Sequence, residues 1–223
     1  GIDEDLPTAR CLIQVTPDAQ RTMNTFLGIS AYLSAEDVKQ ELVASSELLY
    51  CEGYLWDTDE SKEAIRKAMK ISKSSNRKVA LALSDTFCVE RHREDWLELL
   101  KEFVDYIFCN ESEICALYMT KDLDKAIEKV AKNVDAAFIT LGSRGSVVVE
   151  NSKKIEVEAV PVKGVVDSTG AGDIFASGVI FGMSRKLPLD KCAEIGSLMA
   201  SEVITSFGPR IEKDPKKIVE HLL

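Results

Sequence analysis

Hydrophobic and polar positions along this chain follow two rhythms that trade places from start to end. Arg10 to Thr16 alternates with a period of two and is rich in β-formers. Pro17-Asp18-Ala19-Gln20 reads as a turn, and Arg21 to Ile29 as a second strand, so the chain opens on a hairpin. Ser34-Ala35-Glu36-Asp37 has the form of a capping box with Asp in place of Glu, and predicts a helix to about Ala44. Glu47 to Cys51 reads as a short strand. Asp59 to Ser72 has the 3.6-residue period of an amphipathic helix, with Ile65, Ala68 and Met69 inward. Lys78 to Leu83 is a buried strand ending at Ser84-Asp85. Arg91 to Phe103 is a helix through Trp96, Leu99 and Leu100, and Asp105 to Cys109 is a strand ending at Asn110. Helices follow at Ser112 to Tyr118 and Leu123 to Lys132, then a strand at Ala136 to Leu141. Ser146 to Val149 and Ile155 to Val160 read as antiparallel additions. Helices at Gly170 to Arg185, Leu189 to Ser206 and Pro215 to Leu222 close the chain.

Alternating strand and helix predicts an α/β fold: a mostly parallel sheet covered on both faces. Such sheets take ligands at the carboxyl ends of their strands. The polar residues gather there: Asp85, Asn110 to Glu113, Thr140-Leu141-Gly142, and Asp167 to Asp173.

The chain has 223 residues, 45% of them hydrophobic, enough for a sizeable core. A net charge of −9 argues against nucleic acid as a partner and leaves any anionic ligand to a local site. Arg66, Lys67, Lys70, Lys73, Arg77 and Lys78 read as a solvated helix face and its exit loop. The six cysteines form no CxxC, and most sit in apolar runs, as packed thiols of an intracellular protein do. The acidic start Gly1 to Asp5 does not read as a secretory signal, and Ile174 to Met183 is too short to cross a bilayer, so a cytoplasmic protein with no membrane partner is expected. The two histidines, His92 and His221, lie in charged or terminal context, which disfavours a zinc site or a histidine base.

Chemistry concentrates in three runs. In Val165-Val166-Asp167-Ser168-Thr169-Gly170-Ala171-Gly172-Asp173, a strand-like approach turns through small residues into the apolar helix Ile174 to Ile180. A helix amino end with bare N–H groups favours an anion, and Asp173 puts a carboxylate in its first turn. The plainer alternative is a turn followed by an acid that complements the helix dipole. In the second run, Asn110 and Glu113 stand three apart just past a buried strand. They share a helical face, either orienting waters around Mg2+ or forming a helix N-cap with an acidic first turn. The third run, Thr140-Leu141-Gly142-Ser143-Arg144-Gly145, reads as a hydroxyl and backbone amides for phosphates or as a plain hairpin turn. No Walker A loop is present. Gly170-Ala171-Gly172-Asp173-Ile174-Phe175 ends in Phe where a dinucleotide fingerprint needs a small residue.

In this order and spacing the three runs resemble the ribokinase/PfkB family of carbohydrate and nucleoside kinases, over nearly the whole chain. The family's D-T-x-G-A-G-D stands as Asp167 to Asp173, its N-x-x-E as Asn110 to Glu113, and its T-x-G-x-x-G as Thr140 to Gly145; Ser168 replaces a frequent Thr. The resemblance implies a ribokinase-like three-layer sandwich with a small β lid remnant. It divides the chain into a lid hairpin, residues 1–33, and an α/β core with the ATP site, residues 34–223. It implies that Asp173 takes the proton of the acceptor hydroxyl, and that the amides of Gly170, Ala171 and Gly172 form an anion hole. Asn110, Thr140, Gly142, Gly145 and Thr169 would bind ATP. Asn110 and Glu113 would organise Mg2+, and Asp167 with Thr169 would touch a cation such as K+, as in some relatives.

Asp105 to Glu113 and Gln20 to Asn24 are similar to adenosine-kinase-like members, which makes Arg21 a candidate phosphate clamp; a solvent-facing hairpin arginine is the alternative. Relatives usually carry a further N-terminal stretch with sugar-binding residues and half of the lid, so the chain reads as N-terminally incomplete. The expected function is an ATP- and Mg2+-dependent kinase acting on a primary hydroxyl of a sugar or nucleoside, adenosine or a ribosyl compound first. The alternatives are a non-catalytic nucleotide-binding fragment and a degenerate structural homologue. The unpaired lid strands predict a homodimer through their edges.

Overall fold

The computed structural model describes residues 5–19 and 21–222. Gly1 to Glu4 of the acidic start, and Gln20 of the predicted turn, lie outside the described residues. The expected α/β alternation is present, and it falls into two compact units: residues 1–11 with 25–137, and residues 12–24 with 138–223.

The opening hairpin pairs β1 (Arg10–Val15) with β2 (Arg21–Phe26). Its turn is closed by the Ala19 N–H on the Thr16 carbonyl at 2.8 Å. The second strand stops at Phe26 rather than Ile29. A 3-10 turn over Gly28–Tyr32 replaces its end, because Gly28 takes a φ of +54° and the Ile29 N–H goes to the Pro7 carbonyl.

In unit 1 the Ser34–Asp37 box does not start a helix. Asp37 accepts from both the N–H and the hydroxyl of Ser34, but its own N–H returns to the Ser34 carbonyl, closing a turn, and α1 begins later, at Gln40–Ser45. Next come β3 (Leu48–Glu52) and α2 (Asp59–Ser74), the latter capped by the Thr58 hydroxyl on the Ser61 N–H at 3.2 Å. Ala64, Ile65, Ala68 and Met69 of α2 are buried, as the periodicity predicts. β4 (Lys78–Ala82) pairs parallel with β3, and β5 (Tyr106–Asn110) parallel with β4. The helix expected over Arg91 to Phe103 is present as α4 (Arg93–Glu102), and a short helix that the pattern did not predict, α3 (Thr86–Arg91), precedes it. The Asp85 carboxylate caps α3 through the Cys88 N–H at 2.7 Å, and the chain breaks at His92. The indoles of Trp56 and Trp96, both fully buried, meet in this core at a tilt of 43° with their centroids 5.0 Å apart. α5 (Glu111–Leu117) and α6 (Leu123–Val130) follow, and β6 (Ala136–Thr140) begins beside β5, where the Asp105 carbonyl accepts from Asp135 and Ala136.

The basic cluster is engaged rather than simply solvated. Arg66 pairs with Glu98 at 3.0 Å, Lys67 donates to the Ala35 carbonyl, and Arg77 to the Ala44 carbonyl. Lys73 and Lys78 both reach the buried Asp105 carboxylate, and Lys78 is a strand residue. Asp105 also accepts from the Val79 N–H at 2.8 Å, so one side chain ties α2, β4 and β5 together.

In unit 2 the end of β6 continues to β7 (Ser146–Glu150), which pairs antiparallel with β8 (Lys153–Val157), as expected. Asn151 and Ser152 both take positive φ, the two-residue turn that suits the twist of a hairpin. Val165 and Val166 form no strand; the Val166 N–H is satisfied instead by the Ile204 carbonyl at 2.8 Å. α7 (Ala171–Ser184), α8 (Leu189–Val203) and α9 (Pro215–Val219) close the unit. α7 and α8 approach closely through small residues. A Cβ on Gly178 would lie 2.8 Å from the Gly196 Cα, so neither position has room for a side chain. Among the described residues no helix is long and apolar enough to cross a membrane. All six cysteines are free thiols; four are buried, Cys115 is half-buried and Cys11 is exposed.

Candidate active site

The sequence around Asp167 folds into a turn that its own side chains tie down. One Asp167 carboxylate oxygen accepts from the Thr169 N–H at 2.9 Å and the Thr169 hydroxyl at 2.6 Å. The other accepts from the Gly208 N–H at 2.9 Å, which brings in the loop after α8. Burial disfavours the Asp167 charge, but the Thr169 hydroxyl and the Gly208 and Thr169 amides outweigh it and hold the pKa below the ordinary range. Gly170 then takes a φ of +77° as the N-cap of α7, with Pro209 packed so close that a Cβ would lie 2.6 Å from its Cβ. A glycine is required there on both counts.

The N–H groups of the first turn of α7 have no acceptor within the helix. The Ala171 N–H makes a long 3.3 Å bond to the Ser168 carbonyl, so of the three amides assigned to an anion hole it is the one already shared. Asp173 stands in this first turn, exposed at its tip. Its desolvating surroundings push its pKa up, and the Arg21 guanidinium pulls it part of the way back. Arg21 donates to the Ser168 hydroxyl at 2.7 Å, so it reaches over the turn.

Beside this turn lies a cleft of about 580 Å³. It is lined by Ser168, Ala171 and Gly172 from the turn and the start of α7, by Thr140, Gly142, Ser143 and Gly145 from the end of β6 and the turn after it, and by an apolar set that includes Val160, Pro161, Val162, Val165, Phe175 and Ile204. The Thr140 to Gly145 run is a 3-10 turn over Gly142–Arg144, closed by the Leu141 N–H on the Gly145 carbonyl at 2.8 Å. It therefore links β6 to β7, and Thr140, Gly142, Ser143 and Gly145 also line the cleft.

The structure thus brings together Arg21, Asp167, Thr169, Gly170 and Asp173 around the amino end of α7, and makes Thr140, Gly142 and Gly145 part of the same cleft lining as Ala171 and Gly172. Sequence reasoning missed the Gly208-Pro209 loop and the apolar flank. Gly-Pro after a long helix is a turn signal that marks the former; the latter is assembled from the irregular segment around residues 160–165 and from α7 and the end of α8, which only the fold brings together.

Asn110 and Glu113 belong to unit 1. Asn110 caps α5 through the Glu113 N–H at 2.9 Å, and Glu113 accepts from the Asn110 N–H at 2.9 Å and from its amide nitrogen at 2.6 Å. The capping box is therefore real, and each carboxylate oxygen keeps a further lone pair. Glu113 is buried, which pushes its pKa up to about 7 against the pull of the Asn110 N–H; Asp85 adds to the rise.

A carboxyl whose folded pKa of about 7 exceeds its ordinary 4.5 binds its proton more tightly in the folded state. Its contribution to stability is complete below pH 4.5 and is lost as pH rises to about 7. Relative to Glu113→Gln, the wild-type chain should lose roughly 3 kcal/mol between pH 4 and pH 8. Urea unfolding of both at the two pH values checks this; a pH-independent difference contradicts the burial of an ionisable Glu113.

Residues 1–217 match the pfkB family carbohydrate kinase model. The chain belongs to the pfkB family of carbohydrate kinases. It is 43% identical to a solved adenosine kinase from Sinorhizobium meliloti, with a TM-score of 0.94, over 97% of this chain and 67% of that one. It is 38% identical to a solved probable sugar kinase from Rhizobium etli CFN 42, with a TM-score of 0.95 and the same two coverages. A nucleoside kinase from Methanocaldococcus jannaschii is 32% identical over 133 residues, 58% of this chain and 42% of that protein. The chain spans less than half the length of this last relative in the matched region.

Proposed function

We propose that the protein is a kinase that transfers the γ-phosphate of ATP to a primary hydroxyl of a sugar or nucleoside, with adenosine or a ribosyl compound first among acceptors. One observation carries the reading: an exposed carboxylate, Asp173, in the first turn of a helix whose amino end walls a nucleotide-sized cleft. The 43% identity to a protein named adenosine kinase supports the acceptor class.

The cleft fits ATP. Its lining residues include no acid, so nothing there repels phosphates, and its apolar flank suits a base. Mg2+ is expected to arrive on those phosphates. Among the described residues no group of three metal-binding side chains exists, and Mg2+ ordinarily needs only one or two carboxylates besides phosphate and water. Asn110 and Glu113, in unit 1, are the pair proposed to organise Mg2+ and its waters, through the carboxylate lone pairs left over by the capping box. A K+ ion near Asp167 and Thr169 would share a carboxylate that already accepts three hydrogen bonds.

Bound ATP with Mg2+ supplies the activated phosphoryl group. Asp173 takes the proton from the attacking hydroxyl, and the amides of Gly170, Ala171 and Gly172 hold the developing charge. Thr140, Gly142 and Gly145 face the phosphates across the cleft, and Arg21 adds a positive charge beside Asp173. Residues 1–33 serve as a lid hairpin and residues 34–223 as the core. Leu12, Met23 and Phe26 are exposed on that hairpin, which suits a homodimer through its edges.

A coupled ADP-release assay of the protein at its natural length against ribose, fructose and adenosine tests the reading. The expected result is ATP-dependent ADP release that requires one of these acceptors, adenosine giving the highest rate. ATP binding without transfer to any of the three overturns the enzymatic reading, and absence of ATP binding overturns the nucleotide site as well.

A further inference from the structure

We propose that Ser168 is a positioning residue whose hydroxyl holds the Arg21 guanidinium beside Asp173 at the amino end of α7. The inference rests on the kinase reading above and assigns a role that the motif does not.

Arg21 comes from β2, a strand exposed along its whole length. A long side chain on such a strand samples many rotamers and supplies no charge at a fixed point. Here one fork nitrogen, Nη1, donates to the Ser168 hydroxyl at 2.7 Å, across 147 positions of sequence. Ser168 is a firm anchor. The residue before it is buried and accepts three hydrogen bonds, and the Ser168 carbonyl receives the Ala171 N–H. The same residue lines the cleft, so the guanidinium is tied to a residue of the cleft lining. Its charge is felt by both Asp167 and Asp173. With Nη1 on the hydroxyl, the remaining N–H donors of the fork have no partner among the described residues and suit the oxygens of a transferred group.

The hydroxyl itself makes this possible. Alanine at position 168 removes the acceptor and leaves the backbone bond to Ala171 intact. Threonine, the residue more frequent at this place in the resembled motif, keeps the acceptor. If Ser168 acts through Arg21, its removal frees the guanidinium and costs the charge at the transferred group without weakening nucleotide binding in the cleft.

The test is a double-mutant cycle in the protein at its natural length, with ATP and whichever acceptor supports turnover. Ser168→Ala should lower kcat about tenfold, the weight of one hydrogen bond to a charged group, and leave the KM for ATP unchanged. Ser168→Thr should restore kcat. In an Arg21→Ala background, Ser168→Ala should cost nothing further. Losses that multiply, a rise in KM for ATP in place of the fall in kcat, or failure of threonine to restore it would each overturn the proposal while leaving the kinase reading in place. A wild-type protein that transfers phosphate to no acceptor overturns that reading, and this inference with it.

Discussion

Asp173→Asn should lower kcat by about 10²- to 10⁴-fold, the range over which a positioned general base contributes. The amide matches the carboxylate in shape but cannot take a proton from the attacking hydroxyl. Nothing else about the site should change much. Asp173 is exposed, and its only other work is to complement the dipole of α7, worth about 0.3–1 kcal/mol at an exposed first turn. ATP should bind as well as before or more tightly, since a negative charge near its phosphates is gone. The pH profile carries a second signature. Desolvation raises the Asp173 pKa above its ordinary 3.8, with Arg21 opposing. Wild-type turnover should therefore fall as acidity protonates this group, with a midpoint above the ordinary carboxylate value, and the acid limb should vanish in the variant. A variant that keeps wild-type kcat at saturating ATP would remove Asp173 from the chemistry.

Asp105→Ala should destabilise the fold by about 3 kcal/mol, most of it from one orphaned group. Its carboxylate accepts from Lys73 at 2.9 Å, Lys78 at 3.2 Å and the Val79 N–H at 2.8 Å. Both lysines are substantially exposed and return to water when the partner goes, so the ion pairs account for the smaller share. Val79 is fully buried and its N–H cannot do the same; leaving such a donor unsatisfied costs about 1–3 kcal/mol. Asp105→Asn retains an acceptor for Val79 and should cost about half as much. The pH dependence runs opposite to that of Glu113. Burial raises the Asp105 pKa, but Lys73, the Val79 N–H and Lys78 together hold it low. Its stabilisation is present above the ordinary carboxylate range and lost as pH falls through the lowered pKa. Thermal unfolding of the three proteins at pH 7 and at pH 3 checks both claims; an alanine variant as stable as wild type would show that β4 and β5 do not depend on this anchor.

These two residues show how far the sequence can be read. The position of Asp173 in the first turn of a helix was legible because its signal is local: small residues, then an acid, then an apolar helix. The buried face of α2 was legible for the same reason. Asp105 was visible only as the start of a strand, because its partners Lys73, Lys78 and Val79 come from an earlier helix and strand. The short helix α3 was missed because it is only six residues long and its cap, Asp85, follows closely on the end of β4 at Ala82. Gly178 and Gly196 stand in two different helices, 18 positions apart in the sequence. That they are one contact becomes apparent only once α7 and α8 pack. The reach of Arg21 to Ser168 is non-local in the same way, and no periodicity announces it.

Gly172→Ala tests most directly whether the amino end of α7 exists to seat a phosphate. Gly172 is inside the helix, lines the cleft, and has nothing within 4 Å of where a Cβ would stand. Neither backbone geometry nor packing requires a glycine there, and alanine is favoured in a helix by about 1 kcal/mol. A methyl group would project into open space beside the first-turn amides. Calorimetric titration of ATP into wild type and variant, with their melting temperatures compared, decides the matter. The account predicts a variant at least as stable as wild type whose ATP affinity falls by about tenfold or more, a loss of about 1.4 kcal/mol. Unchanged ATP affinity in that folded variant would contradict it.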